Sequence, residues 1–234
     1  MDSVAARLEL VEEKMEAACR RCGRKRQEVE LVAVTKFHPV ETVDEAWRAG
    51  IRVFGESRVQ EASEKFSSFW ESHLHENAAL HLIGSLQRNK AKNAVALFDC
   101  IQSVDRDSII EALGALTMKR EKPLMILLEY HTGEETKAGY PSRDSLFRAA
   151  EKLLSFPGLR PAGLMTIAPF SGDKAVVRSA FRELAAARDE LGKRFHTVNW
   201  SCLSMGMTGD FEIAIEEGST MVRIGTAIFG ERGA

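Results

Sequence analysis

Leu31-Val32-Ala33-Val34-Thr35-Lys36 is a run of apolar and β-branched residues that ends on a lysine and runs into Phe37-His38-Pro39. Such a run, with Pro39 opening a helical pattern, reads as a buried strand that feeds a loop and then a helix. A lysine at the tip of a buried strand is expensive. Taking an ammonium out of water costs on the order of several kcal/mol unless the charge is paired or neutralised. Desolvation of this kind lowers a lysine's pKa from about 10.4, which is how an amine becomes a nucleophile towards a carbonyl. The plainer reading of the segment is a lysine that leaves the sheet and snorkels to solvent. Taken alone, the six residues support both readings equally.

The pattern around this strand repeats along the chain. Residues 3–22 carry Val4, Leu8, Val11, Met15, Ala18 and Cys19 at helical spacing, and Gly23 ends that helix before the Lys36 strand. A helix over 40–49 with Val43, Ala46 and Trp47 on one face stops at Gly50. Further strands are predicted at Ile51–Phe54, His81–Gly84, Asp99–Val104, Pro123–Tyr130, Leu159–Met165, Thr197–Leu203 and Met221–Ile224. Helices are predicted between them at Val59–Phe69, Gln87–Leu97, Arg106–Arg120, Ser142–Ser155, Lys174–Arg194 and Met207–Glu217. Eight strands alternating with helices over this length imply an α/β fold, a single (β/α)8 TIM-type barrel occupying residues 1–234. A doubly wound open sheet is the alternative, but no Gly-x-Gly-x-x-Gly follows the first strand.

Composition narrows the function classes. The net charge of −2 gives no basic field that would draw the chain to nucleic acid or a membrane surface. Apolar runs such as Leu124–Leu128 are far too short to span a bilayer, and no signal peptide is visible. Cys19, Cys22, Cys100 and Cys202 have no framework-like spacing, which implies reduced thiols and a cytoplasmic protein. Cys19-Arg20-Arg21-Cys22 lacks a second cysteine pair, and His73-Leu74-His75 lacks a third ligand, so neither is taken as a metal site. Lys90, Lys92 and Lys137 could meet a phosphate or an acceptor protein, although a solvated charged face is the simpler account. Trp47 and Trp70 fit helix faces packed on the barrel.

In a barrel of this class chemistry gathers at the C-terminal strand ends. Ser204-Met205-Gly206-Met207-Thr208 and Gly225-Thr226-Ala227, the turns after strands seven and eight, lie where barrels commonly hold phosphate on backbone N–H groups. A lysine at one side of the mouth and a phosphate cradle at the other are the two anchors needed by a ligand with an aldehyde and a phosphate. Pyridoxal 5′-phosphate has both. A phosphorylated sugar held by an aldolase-type imine is the rival.

Four motifs then resemble one family. Leu31–Lys36, Phe54-Gly55-Glu56-Ser57-Arg58-Val59-Gln60-Glu61, His81-Leu82-Ile83-Gly84-Ser85-Leu86-Gln87-Arg88-Asn89-Lys90, and Leu203–Asp210 with Val222–Gly230 closely resemble the pyridoxal phosphate homeostasis proteins, single-barrel relatives of the alanine racemase N-terminal domain. The resemblance covers nearly the whole chain in order. It implies that Lys36 is the Schiff-base lysine, that Ser204, Gly206, Gly225 and Thr226 bind the phosphate, and that Arg223 lies beside the ring nitrogen. Ile83, Ser103 and Met165 match strand-end positions near the ring. Two positions depart from the pattern: Ser57 and His131 stand where the family usually has asparagine, the latter before Glu134 and Lys137.

An arginine at the ring nitrogen disfavours a protonated pyridine, because guanidinium keeps its proton at a pKa of about 12.5 or more. The cofactor is then a weak carbanion sink. Racemases of this lineage use a lysine and a tyrosine from a second domain or subunit. This chain ends at Ala234, four residues past Gly230, so a second domain is expected to be missing, and its only tyrosines are Tyr130 and Tyr140. The expectation is a monomeric, non-catalytic carrier of pyridoxal phosphate that supplies apo-enzymes, with an amino-acid racemase as the alternative and a sugar-phosphate aldolase third.

Overall fold

Ser3 begins the first helix by accepting the Ala6 N–H at 3.2 Å, and α1 (Val4–Arg21) buries Val4, Leu8, Val11, Met15, Ala18 and Cys19 along one stripe. In a computed structural model, which describes residues 3–73, 78–118, 120–133 and 138–231, the chain then alternates strand and helix. The strands are β1 (Glu30–Val34), β2 (Val53–Glu56), β3 (Ala79–Leu82), β4 (Cys100–Val104), β5 (Leu124–Glu129), β6 (Leu159–Met165), β7 (Cys202–Ser204) and β8 (Met221–Ile224). Between and after them run α2 (Val40–Arg48), α3 (Val59–His73), α4 (Ala91–Leu97), α5 (Asp107–Thr117), α6 (Arg143–Leu154), α7 (Lys174–Arg194), α8 (Phe211–Glu216) and α9 (Thr226–Phe229). All neighbouring strands are parallel, and β8 closes on β1 through the pairs Glu30↔Met221 to Ala33↔Ile224. The expected (β/α)8 barrel is therefore the fold.

Strand alternation sorts side chains into two cores. Ala33, Phe54, Leu80, Leu82, Ile101, Ile126, Leu128, Leu164, Leu203, Val222 and Ile224 face outward into one continuous apolar layer under the helices. Phe54, Phe66, Phe69 and Trp70 form its aromatic knot, with ring centroids 4.9–5.8 Å apart and mostly tilted or edge-on. Trp70 thus packs on the barrel as its helical position implied. Cys100, Leu127, Ala162 and Met165 form a smaller cluster inside the barrel.

Several boundaries differ from the sequence reading, most by one to four residues. The second strand starts at Val53 and extends through Glu56, because the ladder runs Val53↔Ala79 to Glu56↔Leu82. The third accordingly starts at Ala79 and ends before Gly84. The seventh shrinks to Cys202–Ser204, since the Ser201 N–H turns back to the Asn199 side chain at 2.9 Å. Met207–Asp210 is a turn, closed by Met207 N–H on Asp210 Oδ1 at 2.6 Å, so α8 begins only at Phe211. The 3₁₀ turns Arg26–Glu28 and Arg88–Lys90 and the closing helix α9 were not predicted. The longest helix, α7, is started by Asp173, whose carboxylate accepts the Ala175 N–H at 2.8 Å. Asp173→Ala is expected to lower stability by about 1 kcal/mol in urea titrations with no change in slope.

Candidate functional site

Lys36 stands two residues past β1, half-buried at the C-terminal mouth. Alternation orders the residues that lead up to it. Ala33 faces the helices, Val34 faces inward against Gly225, and Thr35 turns outward again to Glu56 and Lys65. Lys36 follows in a turn at the C-terminal mouth, closed by the His38 N–H on the Thr35 carbonyl at 3.1 Å. Gly55 opens space on the neighbouring strand: a Cβ there would come within 2.9 Å of Val32 Cγ1 and 3.4 Å of Ile83 Cδ1, so Ile83 and Gly55 share the inner wall. Phe37, the residue after Lys36, holds φ at +65°, a left-handed conformation that costs a β-carbon residue about 1 kcal/mol.

Because β8 closes on β1, the Gly225 turn occupies the strand end next to that of Lys36 and the Gly206 turn the one beyond it, where the expectation set the two anchors on opposite sides of the mouth. A Cβ on Gly225 would meet the Val34 carbonyl oxygen at 3.2 Å, and Gly206 sits at φ +96° where a Cβ would press Ala214 Cβ at 2.6 Å. The Gly206 carbonyl accepts the Arg223 N–H at 2.9 Å, which ties the two turns together. Gly225 caps α9, its carbonyl accepting the Ile228 N–H at 2.8 Å and the Phe229 N–H at 2.9 Å, and the N–H groups of Thr226 and Ala227 precede these at the helix start. Thr226 is exposed.

Beneath the mouth a chain of polar side chains crosses the barrel. Gln102 Nε2 and His81 Nδ1 are 2.8 Å apart, and Ser204 Oγ donates to Gln102 Oε1 at 2.6 Å. Arg223 donates to Ser204 Oγ at 2.6 Å, to the Ser204 carbonyl at 2.8 Å and to the Thr166 carbonyl at 2.8 Å. All of these residues are buried. Ser204, named for the phosphate by resemblance, therefore turns its hydroxyl inward to Gln102 and the guanidinium. Burial brings Arg223 down to about 10 and His81 to about 4. Glu129, 4 % exposed at the end of β5, is pushed up to about 7, first by burial and then by Asp105, with Arg223 pulling the other way.

Met165 belongs to the inner cluster, and Ser103 donates to the Gly84 carbonyl at 2.6 Å, fastening β4 to the loop after β3. Gly84 is needed because a Cβ there would lie 2.3 Å from the Ser57 carbonyl oxygen, so Ser57 contributes backbone to this junction. The His131 N–H donates to the Tyr140 carbonyl at 3.1 Å, and Glu134 and Lys137 lie outside the described residues. Both tyrosine hydroxyls point away from the mouth: Tyr130 donates to Glu183 and Tyr140 to Asp107, each at 3.1 Å. The four cysteines are free thiols. His75 falls outside the described residues, among which no cluster of three or more His, Cys, Asp or Glu could hold a metal, and no helix is long and apolar enough to cross a membrane.

His81 and Gln102 were missed by the sequence reading, which reached Glu129 only as a strand-end position. The available signal was a polar residue at an inward position of an otherwise apolar strand, since parallel barrel strands are buried on both faces.

A lysine at the tip of β1, an arginine inside β8 and glycine turns after β7 and β8 define a single-barrel protein of the alanine racemase N-terminal-domain class. Comparison with known proteins agrees: the alanine racemase, N-terminal domain family matches residues 8–233. The pyridoxal phosphate homeostasis protein of Vibrio cholerae is 40 % identical over 99 % of this chain and 98 % of its own. That of Aquifex aeolicus is 39 % identical over 97 % of each. The solved structure of PipY from Synechococcus elongatus with PLP bound superposes at a TM-score of 0.83, with 33 % identity over 97 % of this chain and all of that one. Alanine racemase from Bacillus anthracis, 15 % identical at a TM-score of 0.70, shares the fold. The chain belongs to the pyridoxal phosphate homeostasis protein family.

Proposed function

We propose that the protein binds pyridoxal 5′-phosphate as a Schiff base on Lys36 and serves vitamin B6 homeostasis in the cytoplasm, buffering the cofactor and delivering it to apo-enzymes with little or no turnover. The observation that carries this is a lysine just past the tip of β1, the strand whose end meets the Gly225 turn and the start of α9, with a buried guanidinium on β8. This donor set fits the cofactor: an amine for an aldehyde, N–H groups for a phosphate, and a guanidinium for an unprotonated ring nitrogen. Gly206, Gly225 and Thr226 are assigned to the phosphate, while Ser204 orients Arg223 through its hydroxyl. Ile83, Ser103 and Met165 shape the wall around the ring. When bound, the cofactor supplies an electrophilic carbon and an electron-withdrawing ring.

Two features of the chain argue for holding over turnover. Arg223 has three protein acceptors and keeps its proton, so it donates to a ring nitrogen and withholds the charge a strong electron sink needs. Both tyrosines are engaged outside the barrel, where neither can exchange a proton opposite Lys36. Burial raises the pKa of each as well. The test is an absorption spectrum of the cofactor-loaded protein, followed by an assay with free alanine and serine. The Schiff-base band is expected to vanish in Lys36→Ala, and the amino acids to keep their handedness. Racemisation at enzyme-like rates that Lys36→Ala abolishes would overturn the carrier reading in favour of an amino-acid racemase.

A further inference from the structure

Two carboxylates of the segment Gly55-Glu56-Ser57-Arg58-Val59-Gln60-Glu61 lie immediately behind the residues that flank Lys36. Glu56 is fully buried at the end of β2, and its Oε1 accepts Lys65 Nζ at 2.7 Å and Thr35 Oγ1 at 2.7 Å. Its Oε2 is also buried, with no hydrogen-bond donor. Lys65, on α3, donates as well to the Thr35 carbonyl at 2.7 Å and to Glu61 Oε1 at 3.2 Å. Glu61 in turn accepts the backbone N–H of Phe37 at 2.5 Å. The Thr35 carbonyl receives the His38 N–H at 3.1 Å, closing a turn across Lys36.

The peptide on each side of Lys36 is therefore gripped by one charge cluster. Thr35 is held through its hydroxyl and its carbonyl, and Phe37 through its N–H, all by residues of β2 and α3. A buried ion pair seldom adds net stability, because desolvation offsets the attraction, and its best-attested use is to fix one geometry among several. Here the geometry fixed is unfavourable by itself: the N–H that Glu61 accepts belongs to the left-handed Phe37. Glu61 lies on the half-exposed edge of the cluster, with its side chain 23 % exposed, so it can be changed without opening the buried pair of Glu56 and Lys65.

We infer that Glu56, Lys65 and Glu61 form a positioning clamp that holds the backbone on both sides of Lys36 and so sets where its amine reaches for the pyridoxal phosphate carbonyl. The inference deepens the function proposed above and rests on it for the ligand. None of the three touches the cofactor. Their effect passes through Thr35 and Phe37.

The test compares Glu61→Ala with Glu61→Gln, which keeps an oxygen for the Phe37 N–H. In absorbance titrations with pyridoxal phosphate, Glu61→Ala is expected to weaken Schiff-base formation about tenfold, as for loss of a hydrogen bond to a charged group, with an unchanged melting temperature. Glu61→Gln should recover most of that loss. Binding by Glu61→Ala at the wild-type level, or a melting temperature that falls in step with affinity in both variants, overturns the clamp. Should Glu61→Ala fail to fold, Thr35→Val replaces it, deleting only the hydroxyl bond to Glu56, and wild-type binding by that variant overturns the clamp equally. If wild-type protein forms no Schiff base, the proposed function fails and amide exchange at Phe37 judges the clamp alone. Exchange about tenfold faster in Glu61→Ala than in wild type upholds it, and equal rates reject it.

Discussion

Gly163→Ala is expected to destabilise the barrel by about 4 kcal/mol or more, a large part of the roughly 5–15 kcal/mol that holds a domain folded. A Cβ at residue 163 would lie 1.8 Å from the Cys202 carbonyl oxygen, 2.6 Å from its carbonyl carbon and 2.8 Å from its Cα. These are backbone atoms of the neighbouring strand, so no rotamer change relieves the clash. The Gly163↔Cys202 pair is also one of the three that join β6 to β7. On its other edge β6 skips a residue against β5, where Ile126↔Pro161 is followed by Leu127↔Gly163, and Ala162 joins the inner cluster with Leu127. Moving Gly163 away from Cys202 would drive it into this irregular ladder. Chemical denaturation with Gly192→Ala as the control measures the effect. Gly192 lies within α7 with nothing within 4 Å of its Cβ position, so alanine there should stabilise by about 0.5–1 kcal/mol. A Gly163→Ala midpoint equal to wild type would show that the β6–β7 contact is looser than described.

The alternation of strand and helix was legible because buried parallel strands read as apolar runs and the helices between them as amphipathic ones. Lys36 was legible for the same reason, as a charge where the strand pattern forbids one. The register was not. Val53 enters β2 and Ile51 does not because of what β3 offers as partner, and such pairing leaves no local mark. The adjacency of Lys36 and Gly225 is likewise a product of closure, which joins the first strand to one nearly two hundred residues later. The clamp was hidden by its own spacing: Glu61 and Lys65 are an i,i+4 pair, the usual dress of a solvated helix face. Nothing in the sequence tells that Lys65 is 8 % exposed and bound to Glu56. The hydroxyl bond of Ser204 was likewise illegible, because its partner Gln102 lies about a hundred residues away.

Glu129 and His81 make the stability of the barrel depend on pH with opposite signs, and Glu129→Gln separates them. In the folded protein Glu129 keeps its proton up to about 7, against an ordinary value of 4.5, because it is buried and near Asp105. Between those two values the folded state binds more protons than the unfolded chain, so stability falls as pH rises through this window. At about 1.4 kcal/mol per unit the loss reaches roughly 3 kcal/mol by pH 8. His81 works the other way. Burial lowers it from 6.5 to about 4, so below 6.5 the unfolded chain takes up a proton that the folded state refuses, and stability falls as pH drops towards 4. Over the span where both windows overlap the two slopes cancel, leaving a plateau on the mildly acidic side of neutrality. Glutamine at position 129 removes the alkaline slope alone. Glu129→Gln should match wild type near pH 5, where Glu129 already holds its proton, and exceed it by roughly 3 kcal/mol near pH 8 in urea titrations of protein freed of bound aldehydes. A variant whose advantage is the same at both pH values would mean that Glu129 ionises as freely in the barrel as in the unfolded chain, and that Arg223 offsets the whole cost of burying it.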